Sequence, residues 1–517
     1  MFYVPLYIEG LRSRPLLVFW LATLAQAAVW IAVPMVFYSA PPSELARVLA
    51  IGREFPLEGD FGPPLAYWVA EVAFRVAGLF GVYALSQICV IATYWSVFAL
   101  GRAIVGATHA AMAVLLMVGI FVFAVPTANF GPPILAMALW AAVLLFYWRA
   151  VGEGRRQYWY ALAGAASLLL ITSDAALILL GALVLFTAMT ERGRATADIF
   201  EAWIAAAVLI AVLFAHFLLL ERAGVIFTPA FERLRGAGIA GANTTVWLRL
   251  LGALVLAHAG VAVLVVLASG RPRLRVGPAP AILRTPAAPF AVTFVKTFAL
   301  VPALLATIVA VLAGYRLPIG GAAPLLVLSG LGIVVAAGNS IELHHQRILG
   351  FAWVGLLLVP AIFVPIVIAG LPWTTGTELN VAQPAGAMGR FFAESFARRT
   401  GHPLAVVSGD ARIAELVALA APSRPSVYFD ADPGHSPWVS TETIREKGAV
   451  VVWRAADTDP APPPEIKAHF PDLVPEVPHS FARPVRGRLP PLLIGWGVIR
   501  PASAPAPAPA SGSTAPH

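Results

Sequence analysis

The sequence predicts an α-helical polytopic membrane protein that ends in a small α/β domain. Three observations carry this reading. Of 517 residues, 59% are hydrophobic and only 12% charged, about half the charged share of a soluble domain. The mean hydropathy is +0.81. Long apolar runs recur through the first 371 positions, and the composition then changes. Such values exclude a disordered chain, a fibrous repeat and an ordinary cytosolic enzyme. The net charge is +8, with 35 basic residues. Only Lys296, Lys447 and Lys467 are lysines, so 35 − 3 = 32 are arginines. They fall between apolar runs rather than on one dense basic face, which fits membrane anchoring and argues against a nucleic-acid partner. The single cysteine, Cys89, lies in an apolar run, so no intrachain disulfide is possible.

A spanning helix needs roughly 20 apolar residues. Candidates are 16–37, 82–100, 109–126, 132–148, 158–172, 175–190, 202–220, 246–268, 290–314, 321–338 and 348–371, about eleven in all. Arg12 and Arg14, Arg102, Arg149 with Arg155 and Arg156, Arg192 with Arg194, and Arg271, Arg273 and Arg275 fall on alternate connections. The positive-inside rule puts these in the cytoplasm. An odd number of spans then places the segment after 371 outside.

The first outer loop, 39–64, is not apolar. It carries Glu44, Glu54, Glu58 and Asp60 beside Arg47 and Arg53. After Pro41 and Pro42, residues Leu45, Val48, Leu49 and Ile51 fit one face of a short helix. Such a helix is expected to lie along the membrane surface with its charges toward water. A second amphipathic stretch, 65–80, carries Tyr67, Trp68, Glu71 and Arg75, a mixture that suits the interface.

Beyond 386 the chain alternates strand and helix. HPLAVVSGD, RPSVYFD and AVVVWR read as strands, and ARIAELVALAA and STETIREKG as helices. This predicts an α/β unit with parallel pairing over 386–500. It has no glycine-rich phosphate fingerprint, so a lid or acceptor-binding module is expected rather than a nucleotide site. The Pro/Ala-rich tail, 501–517, is expected to be disordered. The membrane domain, 1–371, shows no internal repeat of the kind inverted transporters have.

A single carboxylate at a membrane surface is usually a solvated anchor. Four between positions 44 and 60 strengthen a catalytic reading. A carboxylate there can take a proton from an acceptor hydroxyl or amine while arginines hold a departing phosphate. Glu44 is the first candidate base and Asp60 the second. Arg47, Arg53, Glu58, Asp174 and Arg347 are the candidate substrate-binding residues. Asp174 reads equally as a helix cap after Ser173. His344 and His345 are adjacent and point in different directions on a helix, so they are a poor metal pair. His216 and His258 read as core histidines.

Several stretches resemble one family. SELAR at 43–47 follows the first span, where the family carries Asp-Glu. GPPLAYWVAEVAFRVAG at 62–78 resembles its Pro-Pro-Leu stretch, and YWSVFALGRAIVG at 94–106 its next span. GEGRRQYWYALAGAASLLLITSDAALILL at 152–180 resembles its following loop and Thr-Lys motif, and HHQRILGFAW at 344–353 a later element. The chain thus resembles the bacterial glycosyltransferase family 39 proteins of the GT-C superfamily, which include protein O-mannosyltransferases and aminoarabinose transferases. The likeness is clear over 1–220 and looser to 371.

It implies a multi-pass protein of the bacterial inner membrane with a periplasmic C-terminal domain. It also implies a polyprenyl-phosphate-linked sugar donor, a lipid, glycan or protein acceptor, and inversion at the anomeric carbon. A divalent cation is compatible with the family, but no metal-ligand cluster stands out. The departures are specific. Ser43 and Glu44 stand at the family's catalytic Asp, Gly62 replaces a basic residue, and Asp174 stands where a cation is usual. They leave room for a non-catalytic lipid-binding or assembly protein of the same fold. A transporter or flippase fits the span count but leaves the acidic loop unexplained.

Overall fold

The computed structural model describes residues 4–57, 61–222, 242–269, 281–313, 319–432, 434–459 and 461–502. Glu58 and Asp60, the loop with Arg271, Arg273 and Arg275, and nearly all of the Pro/Ala-rich tail lie outside the described residues. Contacts divide the chain into two units. One comprises Met1–Tyr38 and Asp60–Val367, the other Ser39–Gly59 and Ile368–His517.

In chain order the helices up to the unit boundary are α1 (Val4–Ser13), α2 (Pro15–Phe37), α3 (Ser43–Gly52), α4 (Leu65–Val105), α5 (Ala107–Met117), α6 (Pro132–Tyr147), α7 (Tyr158–Leu170), α8 (Ala176–Met189), α9 (Glu191–Arg194), α10 (Phe200–Arg222), α11 (Ala242–Ala257), α12 (Ala259–Ala268), α13 (Pro289–Ala313), α14 (Ser329–Ala336) and α15 (Gln346–Thr374). Every apolar run read from the sequence carries helix. Among the described residues six helices are long and apolar enough to cross a bilayer, or nine if each bent pair is one span, beside two shorter apolar helices, Tyr158–Leu170 and Gly321–Ala336. On α15, Phe351, Val359, Ile362, Phe363 and Ile366 are exposed. An apolar helix face left open in this way is suited to lipid.

The membrane unit has two recognisable ends. At the arginine end the start of α2 meets the end of α4. Phe19 packs on Phe98 at 4.7 Å, and Trp20 stacks on Trp95 at 5.6 Å. Arg12 donates to the Ala281 carbonyl at 2.8 Å. That residue opens β1 (Ala281–Leu283), the antiparallel partner of β2 (Ser340–Glu342). At the opposite end Trp30 and Val33 of α2 cluster with Ala124 and Ala361.

Two helices break where backbone chemistry requires it. α4 loses helical geometry at Ala77 and Gly78, with Gly78 at φ 61°, a conformation that favours glycine. The amphipathic stretch read over 65–80 is therefore turned away from the span that follows. After α5 the chain bends by 88° into short turns over 121–128. Carbonyls freed by such a break in an apolar setting need partners. Gln26 donates to the Phe123 carbonyl and Ser86 to that of Thr127, while Tyr94 donates to Gln26 at 3.0 Å.

The second unit is a five-stranded sheet in the order β4-β3-β5-β7-β6. The strands are β3 (Val406–Gly409), β4 (Ser426–Tyr428), β5 (Ala449–Arg454), β6 (Val474–Phe481) and β7 (Leu492–Ile499). Helices α16 (Ala385–Thr400), α17 (Ala411–Ala420), α18 (Thr441–Lys447) and α19 (Pro464–His469) complete it. β3 pairs parallel with β4 and with β5, as the alternating pattern predicts. The two antiparallel strands β6 and β7 were hidden in the sequence by prolines and glycines. Pro475 and Pro478 are tolerated because β6 is the edge strand, where a missing N–H breaks no inner ladder. Gly495 of β7 lies where a Cβ would overlap the Trp453 indole.

Gly409 ends β3 at φ +105°, and a Cβ there would overlap the Val452 carbonyl oxygen on β5. Gly409→Ala should therefore break the β3–β5 pairing and the turn into α17. Limited proteolysis of the full chain in detergent is expected to cut between α16 and β7 in the variant and to spare the wild type. Equal resistance of both would contradict this account of the turn.

Candidate active site

The sequence-predicted residues fall in two places. In the C-terminal unit, α3 packs on α17. Its face of Leu45, Val48, Leu49 and Ile51 is buried, with Leu45 and Leu49 at 0% exposure. This corrects the expectation of a helix lying on lipid: its apolar face is covered by protein. Burying four such side chains is worth about 1.5–3 kcal/mol each, more than enough to fix the helix. Its last turn is tied to the start of β4 and the loop before it. Arg424 donates to the Leu49 carbonyl at 3.4 Å, and Arg53 reaches Ser426 Oγ at 3.3 Å and the Glu54 carboxylate at 3.6 Å.

The same packing brings Glu44 and Arg47, both exposed, into the field of a carboxyl that sequence reading passed over. Glu415 of α17 is only 5% exposed. Burial pushes its pKa up to about 8; Arg47 and Arg412 pull it down, and Glu44 and Asp410 push it up. Burying the neutral acid costs roughly 1–3 kcal/mol, and burying the anion far more. The guanidinium of Arg47 also lies 5.7 Å from the centre of the Phe429 ring. Asp410 caps α17, accepting from the N–H groups of Arg412 and Ile413 at 3.1 and 3.2 Å. In the sequence, Glu415 had only the signature of an amphipathic helix with one acid among apolar residues, which does not separate a buried carboxyl from a solvated one.

In the membrane unit, two of the family-like stretches meet. The Leu65 N–H, which opens α4 after Gly62, Pro63 and Pro64, donates to the Ile171 carbonyl at 3.0 Å. Asp174 follows three residues later. It does not cap α8, whose N-cap is Ala175 and carries no side-chain bond. Asp174 instead faces His216 of α10, with Nε2 to Oδ1 at 3.4 Å. His216 is 7% exposed. The contact is an ion pair when His216 is protonated. Glu71 of α4 is also buried and binds Arg75 Nε at 2.8 Å.

Arg347 is exposed at the start of α15, next to β2 and hence at the arginine end. Asp174 lies beyond the far end of α7, whose 13 residues rise about 20 Å. The structure does not bring Arg347 to Asp174. Among the described residues no group of three His, Cys, Asp or Glu side chains could hold a metal ion.

With this geometry the chain can be set beside known proteins. The family described as dolichyl-phosphate-mannose-protein mannosyltransferase matches residues 62–219. Two solved structures of ArnT from Cupriavidus metallidurans cover 95% of this chain and 99% of theirs at a TM-score of 0.56. One is bound to undecaprenyl phosphate, at 13% identity, and the other is apo, at 15%. The chain shares the GT-C fold of these ArnT structures. A weaker likeness, at TM-score 0.42 and 12% identity over 86% of this chain and 70% of the other, is to the oligosaccharyltransferase AglB from Archaeoglobus fulgidus. Among curated proteins none matches in sequence.

The buried Glu415 carries a pH dependence whose sign follows from linkage. Its pKa in the fold, about 8, lies above the ordinary 4.5. Its contribution is therefore fully present below about pH 4.5 and is lost as pH rises toward 8. Glu415→Gln has no proton to lose. The unfolding temperature of wild type minus variant, measured by scanning fluorimetry in detergent, should fall steadily from pH 5 to pH 9. A difference independent of pH would show that Glu415 is not buried as described.

Proposed function

We propose that this protein is a membrane glycosyltransferase that moves a sugar from a polyprenyl-phosphate carrier to a lipid, glycan or protein acceptor. The observation that carries the reading is the likeness over nearly the whole chain to a structure holding undecaprenyl phosphate, joined to the family match over 62–219. Alternating arginines support an orientation in which the C-terminal unit faces the periplasm of a bacterial cell.

In the proposed reaction the acceptor hydroxyl or amine attacks the anomeric carbon of the donor. Its proton passes to the Glu44 carboxylate. The bond from the anomeric carbon to the phosphate oxygen breaks, and polyprenyl phosphate leaves carrying the bonding pair. Attack opposite the leaving group inverts the anomeric centre. Arg47 is the first candidate to meet the phosphate, because Glu415 in its protonated form does not neutralise it. Arg53 is partly committed to Ser426 and Glu54 and is a weaker phosphate candidate. Asp60 is the second base candidate, with Glu58 beside it in sequence. Asp174, oriented by His216, is the sugar- or donor-binding candidate of the membrane unit.

A second reading keeps the fold without the chemistry. Gly62 in place of a basic residue and Asp174 at the family's usual cation favour it. The two readings separate in one assay. Membranes holding wild-type protein, supplied with radiolabelled polyprenyl-phosphate sugar, are expected to transfer label to an extractable acceptor. Glu44→Gln should lower the rate by about 100-fold or more while carrier binding persists. Full transfer by Glu44→Gln would reject Glu44 as the base. Carrier binding without transfer by the wild type would favour the non-catalytic reading.

A further inference from the structure

At the arginine end, a cavity of about 230 Å³ opens between the last turns of α4 and α6 and the start of α7. Trp95, Phe98, Phe146, Arg102, Arg149 and Tyr158 are among the residues that line it. None of them is a candidate catalytic or substrate-binding residue, and in this unit Asp174 lies beyond the far end of α7. From the charge and placement of this cavity we infer that it binds the phosphate of an anionic phospholipid in the leaflet at the arginine end.

The cations are available. Arg102 is exposed and has no acidic partner among the described residues. Arg149 shares one carboxylate, Glu153, with Arg155. The Arg149 contact is the longer, 3.5 Å against 2.9 Å, so its guanidinium keeps donors to spare. It also lies 5.6 Å from the centre of the Tyr158 ring, an attraction that orients the cation without neutralising it. Arg149 sits on a π-helical turn, Trp148–Gly152. Such turns re-aim side chains and are frequent at functional sites. Gly152 allows this turn, since a Cβ there would press on the Trp148 ring at 2.8 Å.

The surroundings select a lipid. The cavity lies at the ends of spanning helices, the depth of phospholipid headgroups. Its rim holds Trp95, 40% exposed and stacked on Trp20, 36% exposed. Tryptophans at this depth belong to the interfacial belt. Trp20 in turn lines an open apolar groove along α2 with Leu17, Leu21 and Leu24. A phosphate between the two arginines would thus have a bed for an acyl chain next to it, which free phosphate cannot use. Basic pockets between spanning helices are a recurrent headgroup site.

The test is native mass spectrometry of the full chain in detergent, titrated with phosphatidylglycerol, with phosphatidylcholine, and with inorganic phosphate as competitor. The wild type should retain phosphatidylglycerol over phosphatidylcholine. Arg102→Gln should weaken retention about fivefold, the contribution of one arginine near an anionic headgroup, and Arg102→Lys should restore most of it. Arg102 is exposed, so its replacement leaves the fold intact, and unchanged phosphatidylcholine binding checks this. Equal retention by wild type and Arg102→Gln would overturn the inference. So would complete displacement of the lipid by millimolar phosphate, which would make the site one for the free anion.

Discussion

The packing of α3 on α17 is the contact on which the C-terminal half of this account depends. It places the segment that follows α2 inside a domain built from residues more than 300 positions later. Four apolar side chains are removed from water there, and one carboxyl, Glu415, is buried with them. The apolar gain exceeds the cost of burying a neutral acid, so the contact holds while Glu415 keeps its proton. The consequence is an exposed Glu44 and Arg47 beside a buried carboxyl, Glu415, that keeps its proton near neutral pH.

The membrane unit follows a different rule. With no water to satisfy a broken backbone, each interruption must carry its own polar partners. The bend after α5 is supplied by Gln26, Ser86 and Tyr94, and the kink in α4 by Gly78. These devices turn short segments out of the spanning direction and bring the opening of α4 to the end of α7. Two stretches that resemble glycosyltransferase family 39 in sequence are joined there by the main-chain hydrogen bond from Leu65 to Ile171. The Asp174 and His216 pair therefore lies at one end of the unit, while arginines collect at the other.

Much of this was legible in the sequence. Apolar runs marked the helices, because length and hydropathy alone decide what a bilayer accepts. Strand–helix alternation marked β3, β4 and β5 for the same local reason. What could not be read depended on partners distant in sequence. Val48 and Leu49 announce an apolar face but not whether lipid or protein covers it. Pro475 and Pro478 argue against a strand until its edge position is known. Asp174 reads equally as a cap or a site because His216 is 42 residues away, a separation that no local pattern encodes. Glu415 was invisible as a buried acid for the same reason.

The placement of α3 is open to one direct measurement, hydrogen exchange of residues 43–52 in the full chain, in detergent and in lipid nanodiscs. A helix held by α17 should show the same protection in both, and its protection should be comparable to that of 411–420. Rapid exchange in detergent with protection only in lipid would show a helix resting on the membrane and would contradict the account.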